Sequence, residues 1–188
     1  MKRLPLVLLA VLAILAFLGI GAYNSIQTKD EAAAAAKQQI EVQLQRRADL
    51  VPNLVETVKG FARQEMTIFT EVAQARAGLA GAVRGGNVGE MARANDAMTG
   101  ALGRLLAIAE NYPQLKSDQN FLRLQDELSG TENRIAVSRT DYNTVVREYN
   151  TYIRRFPAVM VAGLAGAAAR EYFEVESEAA RETPKVAF

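Results

Sequence analysis

Two stretches of this chain gather polar groups of the kind that recognise a ligand or a partner. The first is Arg46-Arg47-Ala48-Asp49-Leu50-Val51-Pro52-Asn53, two guanidiniums, a carboxylate and an amide around a proline. The second is a pair of dipeptides, Tyr142-Asn143 and Tyr149-Asn150, seven residues apart. Arg47 falls on an apolar stripe, and a buried charge is very costly without a partner. Each tyrosine of the repeat would lie in a helix seam with its hydroxyl seeking an acceptor and an asparagine at its shoulder. Asn53 is a candidate donor to the backbone carbonyl that Pro52 leaves free, since proline has no N–H. Two readings stand side by side for Arg46, Arg47, Asp49, Asn53, Tyr142, Asn143, Tyr149 and Asn150. One is an internal network that fixes helix register, which is the more economical. The other is a polar cluster that contacts a partner.

Other chemistry is poorly served. The chain has no His and no Cys, so imidazole bases, thiolate nucleophiles and the usual zinc ligands are missing. Asp126 and Glu127 are sequence neighbours, which do not face each other on a helix. Glu174, Glu176 and Glu178 read as a solvated acidic face, with weak cation binding the lesser alternative. No G-x-S-x-G elbow frames a serine. The glycines at 78, 81, 85, 86 and 89 follow no strand and precede no Gly-Lys-Ser/Thr, so they predict a turn between antiparallel helices and no phosphate cradle. No catalytic, metal-binding or cofactor-binding residue is expected, and the chain reads as a non-enzyme. A net charge of +1 over 188 residues offers no general attraction to nucleic acid.

The elements that must position these groups are helical. Residues 4–22, LPLVLLAVLAILAFLGIGA, carry no charge and match a hydrocarbon core of about 30 Å. Leu4, Leu8, Leu12, Leu15 and Leu18 are its anchoring side chains. A signal-peptide apolar region is shorter, about 7–15 residues, so an uncleaved single-pass anchor is favoured over a cleaved signal, despite the small Gly19, Gly21 and Ala22. With no thiol to acylate, a lipoprotein is not expected. Lys2 and Arg3 before the span predict the N-terminus in the cytoplasm and the domain outside. Lys29, Lys37, Arg46 and Arg47 on the far flank weaken that preference.

After a short tail (1–3) and the anchor (4–22), residues 23–188 read as one helical domain. Thr28 and Glu31 make a capping-box pattern that starts a helix over about 28–80, with Ile40, Leu44, Val51, Leu54, Val58, Phe61, Ile68, Val72 and Leu79 on its stripe and a kink expected at Pro52. Asn87 and Glu90 cap a second helix, about 87–111, stopped by Pro113. A third, about 117–156, carries Phe121, Leu124, Leu128, Thr131, Ile135, Tyr142, Tyr149, Tyr152 and Phe156, with a bend expected at Gly130. A short element, about 158–180, is rich in Ala and Gly and is a candidate contact surface. Tyr172, Phe173 and Val175 are expected to cover the bundle end, and Pro184, Val186 and Phe188 to form a final strap. Heptad stripes on helices joined by short loops bury themselves against one another. The expected fold is all-α: an N-terminal transmembrane helix followed by an antiparallel up-down bundle of three long helices plus a short C-terminal helical element.

The string QLQRRADLVPNLVETVKGF (43–61), the Tyr-Asn pairs, IRRFP (153–157) and the terminal PKVAF together resemble the LemA family. The likeness runs over nearly the whole chain, including the apolar segment followed by Tyr23-Asn24. It implies an antiparallel helical bundle on a bacterial inner-membrane anchor, with no assigned catalytic activity. It also implies a scaffold or adaptor role, with members linked to magnetosome membranes and others encoded near membrane proteases or TPM-domain proteins. The partners expected are the lipid bilayer, further copies of the chain, or other membrane proteins such as these. A sensor holding a small molecule or lipid in the bundle seam near Arg46, Arg47 and Tyr149 is the alternative. A buried arginine lacking an internal acid would favour it.

Overall fold

The structure is a computed structural model and describes residues 3–174, with side chains from residue 6 onward. Expectations for Val175, Glu176, Glu178 and the strap with Pro184, Val186 and Phe188 lie outside the described residues. All regular structure among those described is helical: α1 (Arg3–Phe61), α2 (Met66–Gly85), α3 (Val88–Ala109), α4 (Pro113–Lys116), α5 (Gln119–Tyr152) and α6 (Ala158–Ala162). The chain divides into two compact units, Met1–Gln39 with Ser138–Glu171, and Ile40–Val137 with Tyr172–Phe188.

The second unit is a four-helix up-down bundle, built from the end of α1, α2, α3 and the first half of α5. Arg47 bonds Asn95 and Gln64 bonds Tyr112, the same offset of 48 residues in both pairs, so α1 and α3 run parallel. Gln43 meets Arg134 while Arg47 meets Glu132, so α5 runs antiparallel to α1. Glu71 of α2 meets Arg104 of α3 across a tight turn. Ile40, Leu44, Val51, Leu54, Val58, Val72, Leu79, Met91, Met98, Leu105, Phe121, Leu124, Leu128 and Ile135 are buried, and this shared stripe is the main source of cohesion.

The helix expected over 28–80 is two helices. It reverses at residues 62–65, where Ala62 N–H still donates to Val58 and Glu65 N–H closes a turn onto Ala62. Phe61 is exposed while Ala62 is buried. The seven-residue step from Phe61 to Ile68 hides the break, because it would also continue a heptad. Gly60 weakens the helix there, and Arg63-Gln64-Glu65 supply a polar corner. At the other end, α1 runs unbroken from the apolar segment through Thr28, whose Oγ1 donates to the Asn24 carbonyl at 3.0 Å. Thr28 is therefore a mid-helix residue and caps nothing.

Pro52 does not restart the helix: α1 contains it as an interior residue. The carbonyl it frees, on Ala48, accepts from Arg76 Nε of α2 at 2.8 Å. Asn53, expected to serve that carbonyl, is exposed. The glycine-rich turn is also shorter than residues 78–89 suggested. Helix α2 continues to Gly85, and Gly86 (φ 69°) alone takes the left-handed position, its N–H bonding Ala82 and Val83 carbonyls. Asn87 then caps α3 by accepting from Glu90 N–H at 2.8 Å. The third long helix starts behind Asp118, which accepts from Phe121 N–H at 2.9 Å. It runs helical through Gly130 and ends at Tyr152, leaving Phe156 exposed beyond it.

In the first unit, α1 and α5 pack around Ala22, Ile26, Tyr149 and Ile153, joined by Ala158 of α6 and flanked by Tyr152, Val161, Ala162, Ala165 and Ala167. The helix expected over 158–180 ends much sooner. Gly166 (φ 65°) stops it: its N–H donates to Gly163 and the Ala167 N–H to Ala162, the paired bonds of a Schellman ending. The chain then leaves as a non-helical segment through 174.

Candidate functional site

The polar residues singled out in the sequence separate into two networks, one in each unit. In the four-helix bundle Arg47 is 4% exposed. Its Nη1 lies 2.6 Å from a Glu132 carboxylate oxygen and donates to Asn95 Oδ1 at 2.6 Å, while Nη2 donates to Thr99 Oγ1 at 3.0 Å. Asn95 is itself buried. Burial pulls the Arg47 guanidinium below its ordinary value, and Glu132 and Asp96 oppose that pull. The bundle thus spends an asparagine, a threonine and a carboxylate on one buried charge. The other residues of that stretch take no part. Arg46, Asp49 and Asn53 are exposed. Asp49 accepts from Gln45 on its own helix, and the Asn53 carbonyl accepts from Thr57.

In the first unit the Tyr-Asn repeat faces the non-helical segment after α6. The Asn150 side chain donates through Nδ2 to the Arg170 carbonyl at 2.9 Å and accepts from the Arg170 N–H at 2.8 Å. Its amide thus pairs with one residue's main chain as a neighbouring strand would. Tyr142 donates its hydroxyl to the Glu171 carbonyl at 2.8 Å. The Arg170 side chain turns back over the Tyr149 ring, 5.9 Å from its centroid, and donates through Nε to Asp30 on α1 at 2.8 Å. The Tyr149 hydroxyl bonds the same carboxylate.

The electrostatics follow from these bonds. The Arg170 hydrogen bond holds the Asp30 carboxyl below its usual range, and the Asp30 hydrogen bond raises Arg170. Tyr142 and Tyr149 are pushed up, chiefly by burial. Asn143 is half-buried beside this clamp.

Sequence reasoning missed Asn95, Glu132, Arg76, Asp30 and Arg170. Asn95 had a legible signal, standing four residues after Met91 and three before Met98 on the buried face of α3. Arg170 had a weaker one, as the first charge after AGLAGAAA.

Among the described residues, no cluster of three His, Cys, Asp or Glu side chains is placed to hold a metal ion. The anchoring Leu8, Leu12, Leu15 and Leu18 are all exposed on α1, and the side chain of Leu4 lies outside the described residues. Helix α1 is the one described helix long and apolar enough to cross a membrane.

Residues 36–188 match the profile of the LemA family. The chain is 30% identical to the magnetosome protein MamQ of Magnetospirillum gryphiswaldense over 88% of its own length and 70% of that protein. It is 29% identical to magnetosome protein MamQ 2 of Paramagnetospirillum magneticum, over 90% of its length and 71% of that protein. Profile, motifs and helical architecture converge: the chain belongs to the LemA family.

Proposed function

We propose that this protein is a single-pass, membrane-anchored scaffold or adaptor without catalytic activity, which self-associates or presents helical surfaces to other membrane or envelope proteins. The observation that carries the reading is the use of its polar groups. An exposed apolar helix, suited to lipid, leads into a body whose buried Arg47 and part-buried Arg170 are met internally, by Glu132 and by Asp30. Tethering to a plane raises effective concentration, so weak lateral contacts suffice for assembly. The magnetosome proteins it resembles support a place in a bacterial membrane. The bias of Lys2 and Arg3 supports an exoplasmic domain, and a TPM-domain protein or a membrane protease fits as partner. A seam-bound ligand draws no support from Arg47, whose charge is already paired.

The test is energy transfer between donor- and acceptor-labelled full chains in vesicles over a range of protein-to-lipid ratios, with photo-crosslinking at exposed positions in cells. Transfer above the random-encounter level, or a reproducible crosslinked neighbour, supports the proposal. A chain that stays monomeric at every density and crosslinks to nothing overturns it. An Arg123→Cys variant of this Cys-free chain, treated with a membrane-impermeant maleimide before and after permeabilisation, reports the side of the membrane.

A further inference from the structure

The first unit carries apolar side chains that its own packing leaves uncovered. Phe156 is 71% exposed, Val159 51%, Met160 71% and Leu164 86%. They cluster on α6 and the turns around it, whereas the inward residues Ala158, Val161, Ala162 and Ala165 pack on the core. Four large apolar groups within nine residues are an unusual display beside a well-filled core.

Their height along α1 is given by one contact. A Cβ built on Gly19 would meet Val161 Cγ1 at 3.9 Å, so α6 lies against α1 at Gly19. That glycine is inside the apolar run that ends at Ala22, about 4–5 Å before its end at a rise of ~1.5 Å per residue. The neighbouring groups grade in polarity along the same direction. Lys29 and Glu148 form an ion pair. Tyr23 follows the apolar run with 43% exposure, where membrane helices place their aromatic belt. Arg154 and Arg155 are exposed at the end of α5, and Phe156 and α6 come next.

We infer that residues 154–164 form a second membrane contact, seated in the leaflet from which α1 emerges. Phe156, Val159, Met160 and Leu164 enter the boundary of the acyl chains, while Arg154 and Arg155 reach the lipid phosphates. This inference rests on the reading that α1 crosses the bilayer. Interfacial elements bury their apolar face about 5–10 Å into the headgroup–acyl boundary, and the Gly19 contact sets α6 at the shallow end of that depth. The contact would tie the first unit to the membrane surface at two points, the anchor and the α6 turn.

The full chain, which has no native Cys, is labelled with an environment-sensitive fluorophore at Met160→Cys or Leu164→Cys and reconstituted in phosphatidylcholine–phosphatidylglycerol vesicles. Arg139→Cys, exposed further along α5, and Leu12→Cys, in the anchor, serve as references. The expected result is strong quenching at positions 160 and 164 by lipids brominated near the top of the acyl chain and little by lipids brominated near its end. Leu12 should show the reverse, and Arg139 should be quenched by neither. Labels at 160 and 164 open to aqueous iodide, with Leu12 still quenched by lipid, overturn the second contact and leave the anchor standing. Labels at 160 and 164 shielded from both quenchers point to a second copy covering α6, and also overturn it. A Leu12 label that no lipid quenches removes the span itself and the inference with it.

Discussion

Arg47 and Arg170 are two guanidiniums that the fold treats in opposite ways. Arg47 sits inside a four-helix seam, nearly sealed, and desolvation outweighs its carboxylate in setting its proton affinity. Arg170 sits at the edge of the first unit, partly in water, and its hydrogen bond to Asp30 outweighs burial. The difference teaches what each charge is for. A charge buried that deeply costs more to desolvate than pairing readily returns, so we propose that the Arg47 network serves register, by favouring one alignment of α1, α3 and α5. The Arg170 network is a fastening. It orders a segment that has no helix of its own, at modest electrostatic cost.

The sharpest way to break the contrast is to remove each acid. Glu132→Ala leaves the Arg47 charge buried without its counter-ion and should lower stability by about 3 kcal/mol, read as a fall in denaturant midpoint. Arg47→Met should cost less than Glu132→Ala, since the Glu132 side chain is 45% exposed and can swing its buried Oε2 out to water. If the two cost the same, the burial argument for Arg47 is wrong.

Next in size is Asn150→Ala, which deletes both main-chain bonds to Arg170. At about 1 kcal/mol for each bond, protection of the Arg170 amide from hydrogen exchange should drop by about 2 kcal/mol. Exchange at Leu105, in the other unit, should hardly move. Uniform loss of protection would show that the fastening and the bundle open together. Tyr142→Phe removes a single bond to Glu171 and should cost about 1 kcal/mol, measured in the same exchange experiment.

The smallest effect belongs to Asp30→Asn. Its ion pair is partly solvent-exposed, so the change should be no more than about 1 kcal/mol and should shrink with added salt. The pH dependence has a definite sign. The Asp30 carboxyl is lowered in the folded state, so its stabilisation is complete above the ordinary carboxylate range and is lost as pH falls through the depressed folded value. Asp30→Asn should abolish that acid-side loss in the first unit. Persistence of the loss in the variant would assign it to another group.

Much of this organisation was legible from spacing. The stripe on α5 from Phe121 to Tyr149 follows from residue types three, four and seven apart, the Asn87 cap and the apolar anchor run from local composition, and all three appear in the structure. Periodicity failed where two different shapes share one period. The hairpin between α1 and α2 preserves a heptad step, so only Gly60 and the polar corner marked it. Proline failed as a breaker because the freed Ala48 carbonyl found Arg76, 28 residues away, and no local rule supplies a tertiary partner. Of the eight polar residues singled out, Arg47, Tyr142, Tyr149 and Asn150 have their side chains in the two networks, while their partners Asn95, Glu132, Asp30 and Arg170 depend on which helices pack together, and no local pattern reports that. Arg170 and Asp30, 140 residues apart, have no joint signal in one sequence.

The Asn150 clamp has one more consequence. Both of its bonds, and that of Tyr142, end on main-chain atoms of residues 170 and 171. Such a grip is blind to the side chains it holds. At its exposed positions, such as Ala168 and Ala169, the segment can drift in sequence or gain charge and still dock in the same place. A stretch of small residues with little to pack is thereby kept in position by a recipe written elsewhere in the chain, and its exposed side chains are left free to vary.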